Sequence, residues 1–302
     1  MNITSNNDGT HLLAGLIGCG ISQSRTPRMH MAEARAQGMT GLYQILDMEC
    51  DLRSDMHLST MVAAAQACGF HGLNITYPFK IDVIPLLDDL SDNARAVGAV
   101  NTVVFRGGQR IGHNTDLWGF AQSFQRNLGG AKRENVLLIG AGGAGVAVAH
   151  ALVDSGVAHL MIHDSDMARA MLLAEQLQAK RPDLRITAVR DLAEFATRGS
   201  LCGLVNATPV GMAKLPGMAA PVEILHPEMW VADIVYFPLE TELLRTARAL
   251  GCRVLAGSGM AVFQAVRAFE LFTGRAADPA RMQATFEAFD TIDSAARAVK
   301  SA

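Results

Sequence analysis

Short apolar runs alternate with longer segments of helical period along the chain. "LLAGLIG" leads into the helix-patterned "PRMHMAEARAQ", closed by Gly38, and "LYQIL" is followed by a helix near 58–68 and the run "FHGLNIT". Short apolar strands divided by amphipathic helices predict an α/β protein whose strands are mostly parallel. "VNTVVF" and "QRIGHNT" are joined only by Gly107 and Gly108, which suits a tight hairpin and predicts one antiparallel pair in the first half. After "LWGFAQSFQRNL" and the polar "GGAKREN", a cleaner β/α series begins, with strands "VLLIG", "HLMIH", "RITAV", "GLVNAT", "WVADIVY" and "CRVLAG". From Gly259 onward the pattern is helical throughout. No repeat or long linker divides the halves, so a helix is expected to carry the chain from one to the other.

With 302 residues, half of them hydrophobic, the chain has material for two domains. A formal charge of −3 gives no basic footprint for nucleic acid and no polybasic face for a membrane, so the expected partner is a small molecule. The five cysteines, Cys19, Cys50, Cys68, Cys202 and Cys252, are widely and irregularly spaced without a C-x-x-C pair and read as reduced thiols. The polar start "MNITSNNDGT" lacks the charged and apolar regions of a signal peptide, and a cytoplasmic location is expected. Val136 to Val153 is apolar enough to suggest a membrane span, but its four glycines read instead as strand, turn and buried helix.

That turn carries the first chemistry. Gly140, Gly142 and Gly145 fit G-x-G-x-x-G directly after a strand and at the start of a helix, where backbone can approach a pyrophosphate and the helix N-terminus can face it. Asp164 ends the next strand 24 residues after Gly140, near the spacing expected of a ribose-binding acid. A carboxylate there hydrogen-bonds the ribose hydroxyls of NAD and repels the extra phosphate of NADP. Either Asp164 or Asp166 could instead cap the following helix; the ribose role is assigned to Asp164 and the cap to Asp166. His30, His71 and His113 have no metal-ligand spacing, and no metal is expected.

Lys80 follows Pro78 at what reads as the first turn of a helix, where a cation is disfavoured, and Asp116 stands just before an apolar helix, where it could be an N-cap or a catalytic carboxylate. Together "GLIGCGISQSRTPRMH", "GLNITYPFK", "GAVNTVVF", "GHNTDLWGF", "IGAGGAG", "NATPVGM", "VYFPLETELL" and "GMAVFQAVRAF" resemble the shikimate/quinate dehydrogenase family, in this order and over nearly the whole chain. The resemblance implies a substrate-binding domain of residues 1–116, with the helices of 258–302 packing back on it. A Rossmann-type, doubly wound NAD-binding domain of residues 117–257 completes the fold. Lys80 and Asp116 are then the catalytic pair at the hydroxyl being oxidised, and Ser24 and Thr26 hold the substrate carboxylate, although Thr26 also reads as a helix N-cap. Thr76, Asn101, Asp116 and Gln264 meet the ring hydroxyls, and Tyr236 lies near the carboxylate. Cofactor contacts fall on the turn Gly140, Ala141, Gly142, Gly143, Ala144 and Gly145, and on Asp164, Arg169, Asn206, Thr208, Pro209, Gly257 and Met260.

The sequence departs from the family's NADPH-linked form in two places. Asp164, Ser165 and Asp166 stand where that form carries N-R-T, whose arginine holds the phosphate, and the substrate loop reads "SRTP". Both features resemble the NAD-linked branch that oxidises quinate or shikimate at the C3 hydroxyl to 3-dehydroquinate or 3-dehydroshikimate. An NADP-dependent biosynthetic enzyme, an aminoshikimate-type dehydrogenase and a non-catalytic NAD-binding regulator remain alternatives. A reductase acting on folate or glutamyl-tRNA shares only the glycine turn. The resemblance leaves monomer and homodimer open.

Overall fold

The computed structural model describes residues 9–49, 56–196 and 201–300, the side chains of 290–300 excepted; Cys50 lies outside the described residues. Two compact units divide the chain, one made of Met1–Thr115 with Gln264–Ala302 and the other of Asp116–Phe263. Among the described residues no helix is long and apolar enough to cross a membrane, and the apolar stretch from Val136 forms a strand, a turn and a helix.

The first unit runs β1 (His11–Gly18), α1 (Thr26–Ala36), β2 (Thr40–Asp47), α2 (Leu58–Ala67), β3 (Gly72–Ile75), β4 (Asp89–Leu90), α3 (Asp92–Val97), β5 (Thr102–Arg106) and β6 (Gln109–His113). Its sheet has the order β2-β1-β3-β5-β6-β4, with β1 parallel to both β2 and β3 and the short β4 parallel to β6. The chain reverses at the expected hairpin, where β5 and β6 pair antiparallel up to Arg106 opposite Gln109. Gly107 and Gly108 take φ of 60° and 81°, a conformation that a side chain would strain. Helix α3 and β4 are not expected from the pattern; a serine cap, Ser91 Oγ accepting Ala94 N–H at 3.3 Å, and Gly98 at φ 69° delimit the helix.

Helix α4 (Thr115–Leu128) leads into the second unit: β7 (Asn135–Ile139), α5 (Gly143–Asp154), β8 (His159–His163), α6 (Met167–Lys180), β9 (Arg185–Ala188), β10 (Gly203–Asn206), β11 (Trp230–Asp233), α7 (Glu242–Ala249) and β12 (Arg253–Leu255). All pairings are parallel in the order β12-β11-β10-β7-β8-β9. Strands β10 and β11 are buried on both faces, as continuous aliphatic runs in a covered parallel sheet require. The order reverses between β7 and β10, so a crevice opens beyond the carboxyl ends of those two strands.

Helices α8 (Gly257–Thr273) and α9 (Pro279–Lys300) return the chain to the first unit, where α9 is fastened to α1. Glu33 of α1, fully buried, takes Arg281 Nη1 at 2.9 and 3.1 Å, Gln37 Nε2 at 2.7 Å and Asp278 N–H at 3.0 Å. A buried carboxylate is tolerated because each oxygen is paired.

Beside it on α1, His30 is fully buried against Tyr43, Phe269 and Phe272, and neither ring nitrogen has a hydrogen-bond partner. Burial alone pushes its pKa from 6.5 down to about 3. Between those values the unfolded chain binds a proton that the folded chain refuses, so stability falls as pH drops below 6.5, by roughly 1 kcal/mol per pH unit. His30→Phe is expected to remove this slope. In urea titrations at pH 7.5 and 4.5, wild type should lose about 2–3 kcal/mol more than the variant over that range, and equal losses would contradict the assignment.

Candidate active site

The glycine turn joins β7 to α5, and its glycines do different work. Gly140 has φ 105°, and a Cβ there would lie 2.8 Å from the Ala207 backbone. A Cβ on Gly145 would collide with the Gly140 carbonyl, so this glycine lets the helix approach the strand. Gly142, the N-cap of α5, and Gly143 have nothing within 4 Å of an added Cβ. Protein packing does not ask for glycine at these two positions, and the backbone there is open to close approach. The first N–H groups of α5 have no partner within the helix, and a helix N-terminus of this kind suits an anion.

Asp164 directly follows β8 beside this turn. Its Oδ2 accepts Ala141 N–H at 2.7 Å and its Oδ1 accepts Asp166 N–H at 2.8 Å, so the acid also braces the glycine turn. Asp166 caps α6 through Ala168 N–H at 3.1 Å and pairs with exposed Arg169 at 3.3 Å. Across the crevice, β10 ends in Asn206, which is fully buried. Asn206 Oδ1 accepts Thr208 N–H at 3.0 Å and the Thr208 hydroxyl at 2.7 Å, while its Nδ2 donates to Val210 O and Asp233 Oδ1 at 2.9 Å each. The Asn206 side chain is therefore spent on shaping the loop that presents Thr208 and the exposed Pro209.

In the first unit the polar side chains converge on Asn101, which is 3% exposed. Its Oδ1 accepts Thr115 N–H at 2.7 Å, and its Nδ2 donates to Thr115 Oγ1 at 3.0 Å and to Gln264 Oε1 at 3.4 Å. A second tier supports it: Tyr43 OH donates to Asn74 Oδ1 at 2.7 Å, and Asn74 Nδ2 donates to Thr102 Oγ1 at 2.9 Å. Asn101 thus supplies the first N–H of α4 with its acceptor. Asp116, 7% exposed, is the second residue of that helix and not its cap.

Lys80 does not begin a helix, as its spacing from Pro78 suggests, but sits in a run of turns. The carbonyl that a helix would offer to residue 84 accepts Val100 N–H at 2.8 Å, and Ile84 N–H turns to Ile81 O. Pro85 also disfavours α geometry at the residue before it. Lys80 is partly buried and tied through this backbone bond to the strand entry that holds Asn101; Thr76 lies on the same segment, its N–H on Ile17 O.

The loop before α1 differs from its expected form at the helix cap. Helix α1 is preceded by Arg25, which makes no capping bond, and the Thr26 N–H is taken by Ser24 Oγ at 3.3 Å. Arg25 is 6% exposed and points away into α9, donating to Phe286 O at 3.0 Å and lying over the rings of Phe286 and Phe289. It anchors the loop between the Ser24 and Thr26 hydroxyls. Tyr236, 45% exposed, lies in the second unit after β11, and Gly257 and Met260 lie in the first turns of α8.

Three stretches match known families: residues 16–103 the shikimate dehydrogenase substrate binding domain, 122–198 the shikimate/quinate 5-dehydrogenase family, and 257–285 the shikimate 5'-dehydrogenase C-terminal domain. A shikimate dehydrogenase (NADP(+)) from Streptomyces avermitilis is 51% identical over 90% of this chain and 94% of its own. A quinate/shikimate dehydrogenase (NAD(+)) from Corynebacterium efficiens is 47% identical over 91% of this chain and 97% of its own. The solved structure of quinate dehydrogenase from Corynebacterium glutamicum in complex with NAD superposes with a TM-score of 0.86 at 46% identity, covering 92% of this chain and 99% of that one. The chain belongs to the shikimate/quinate dehydrogenase family.

In this member of the shikimate/quinate dehydrogenase family, one buried acid beside these loops carries no motif in the sequence. Asp233, 2% exposed at the end of β11, binds Asn206 and the Thr241 hydroxyl, and so ties the loop of Thr208 to the loop of Tyr236. Its signal lies only in an acid closing an otherwise apolar strand, "WVAD".

The glycine geometry separates ligand from packing roles. Gly142→Ala is expected to keep the wild-type melting temperature and lose at least tenfold in dinucleotide affinity. Gly145→Ala, which must push α5 off β7, is expected to lower stability by several kcal/mol. Thermal melts with cofactor titration check both, and equal destabilisation would contradict the distinction.

Proposed function

We propose that the protein oxidises quinate, shikimate or both at the C3 hydroxyl with NAD as the hydride acceptor. The observation that carries the reading is Asp164, a carboxylate braced against the glycine turn where a phosphate-holding arginine would be needed for NADP. Against a 2′-phosphate, one unit-charge repulsion at about 4 Å and an effective dielectric near 20 is at most about 4 kcal/mol, and a third of that is tenfold in affinity.

Bound NAD supplies the acceptor for the hydride leaving the ring carbon. Ser24 and Thr26 hydrogen-bond the substrate carboxylate, and Thr76, Asn101 and Gln264 orient the ring hydroxyls, Asn101 exchanging its long 3.4 Å bond to Gln264 for the ligand. Lys80 takes the proton of the C3 hydroxyl, a step whose general-base contribution is typically about 10²–10⁴-fold. Asp116 holds the lysine in place and hydrogen-bonds the same hydroxyl. Hydride and proton leave together in the balance of the reaction, and a ketone remains. Tyr236 lies near the carboxylate, and Thr208 and Pro209 face the nicotinamide side. A second reading, with NADP, is favoured by the identity to the Streptomyces avermitilis enzyme.

Absorbance at the NADH band with quinate or shikimate, each with NAD or NADP, tests the proposal. Activity with NAD on at least one acid is expected, falling about 10²-fold or more in Lys80→Ala with NAD affinity little changed. Asp164→Asn keeps an acceptor for Ala141 N–H while losing the charge, and should narrow the NAD preference. At least tenfold better use of NADP by wild type would overturn the cofactor assignment, and no turnover of either acid would overturn the reaction.

A further inference from the structure

Asp233 is a buried carboxylate surrounded by donors. Its Oδ1 takes Asn206 Nδ2 at 2.9 Å and Val235 N–H at 3.0 Å, and its Oδ2 takes the Thr241 hydroxyl at 2.7 Å. An ionised carboxylate only accepts, whereas a protonated one would have to turn its own O–H towards one of these donors. Burial pushes the pKa up to about 6, with the hydroxyl, backbone and amide bonds working against it, so the group is charged at pH 8.

The location gives that charge a use. Strands β10 and β11 belong to the half of the doubly wound sheet opposite the acid after β8, and the nicotinamide nucleotide lies over that half when Asp164 takes the adenosine ribose. Asp233 lines a small pocket with Gly257 and Met260 of α8 and with Ser123 of α4, whose buried Oγ has no protein hydrogen-bond partner. The two forms of the cofactor differ at the nicotinamide, where the oxidised ring carries a positive charge and the reduced ring none. Inside a protein, charge interactions act over several ångströms without contact.

We propose that ionised Asp233 is the fixed negative charge of the nicotinamide half-site and selects the oxidised, cationic ring over the reduced, neutral one. The inference rests on the NAD-dependent reading above and adds a bias of the bound cofactor towards the form that accepts hydride. A site that prefers the oxidised ring holds the reduced product less tightly and so releases it sooner.

The test is direct binding at pH 8, NADH by its fluorescence and NAD by competition, to wild type, Asp233→Asn, Asp233→Ser and Thr241→Val. Asparagine removes the charge but keeps the shape, and serine leaves room for water to meet the three donors. Thr241→Val disturbs the same knot with the carboxylate retained. The ratio Kd(NAD)/Kd(NADH) is expected to rise about three- to tenfold in both Asp233 variants, while Thr241→Val shifts both constants together. An unchanged ratio in a folded Asp233 variant, or an equal rise in Thr241→Val, would overturn the inference. If neither Asp233 variant folds, the residue serves folding and the inference is withdrawn. A wild-type chain that binds neither NAD nor NADH would instead overturn the NAD reading itself, and this inference with it.

Discussion

The segments that carry Lys80 and the start of α4 depend on the buried amide of Asn101. At the point where the first sheet changes from parallel to antiparallel pairing, Asn101 gives its backbone to β3 and β6 and its side chain to Thr115, the first residue of α4. The preceding residue holds the Lys80 carbonyl. One polar knot therefore sets the backbone of the lysine and the start of the helix that carries Asp116. A buried amide with its donors and acceptor engaged has a single satisfactory arrangement, whereas an apolar side chain there would leave the Thr115 N–H without its acceptor.

The second unit repeats the device with a charge. Asn206 and Asp233 close the ends of adjacent parallel strands, and their mutual hydrogen bond joins the two loops that leave the sheet. The glycine turn across the crevice is braced by Asp164 in the same manner. In each case a side chain at a strand end hydrogen-bonds the backbone or side chain of a neighbouring loop, so that flexible segments inherit the rigidity of a sheet buried on both faces.

Local signals make much of this legible in the amino-acid sequence. The two glycines between "VNTVVF" and "QRIGHNT" leave one economical geometry, and the strand–glycine–helix run of β7 and α5 has no better reading than a dinucleotide turn. What does not show is long-range. Lys80 resembles a helix start when only its chain neighbours are considered, while the bond that decides its geometry comes from Val100. Arg25 reads as part of the substrate loop, but its guanidinium belongs to α9, far along the chain. Asp233 closes an apolar strand without any motif, and its partners Asn206 and Thr241 become neighbours only through strand pairing and a helix cap. Helix α3 carries readable marks in Ser91 and Gly98, but it is short enough for its pattern to fade into the surrounding loop.

Lys80 and Asp116 are proposed to meet at one hydroxyl. The most direct measurement is a crystal structure with NAD and whichever of quinate or shikimate is turned over. Lys80 Nζ and an Asp116 carboxylate oxygen are each expected within about 3.2 Å of the C3 hydroxyl oxygen, with the nicotinamide against the carbon that bears it. A ring bound with that hydroxyl on other side chains and Lys80 turned away would contradict it.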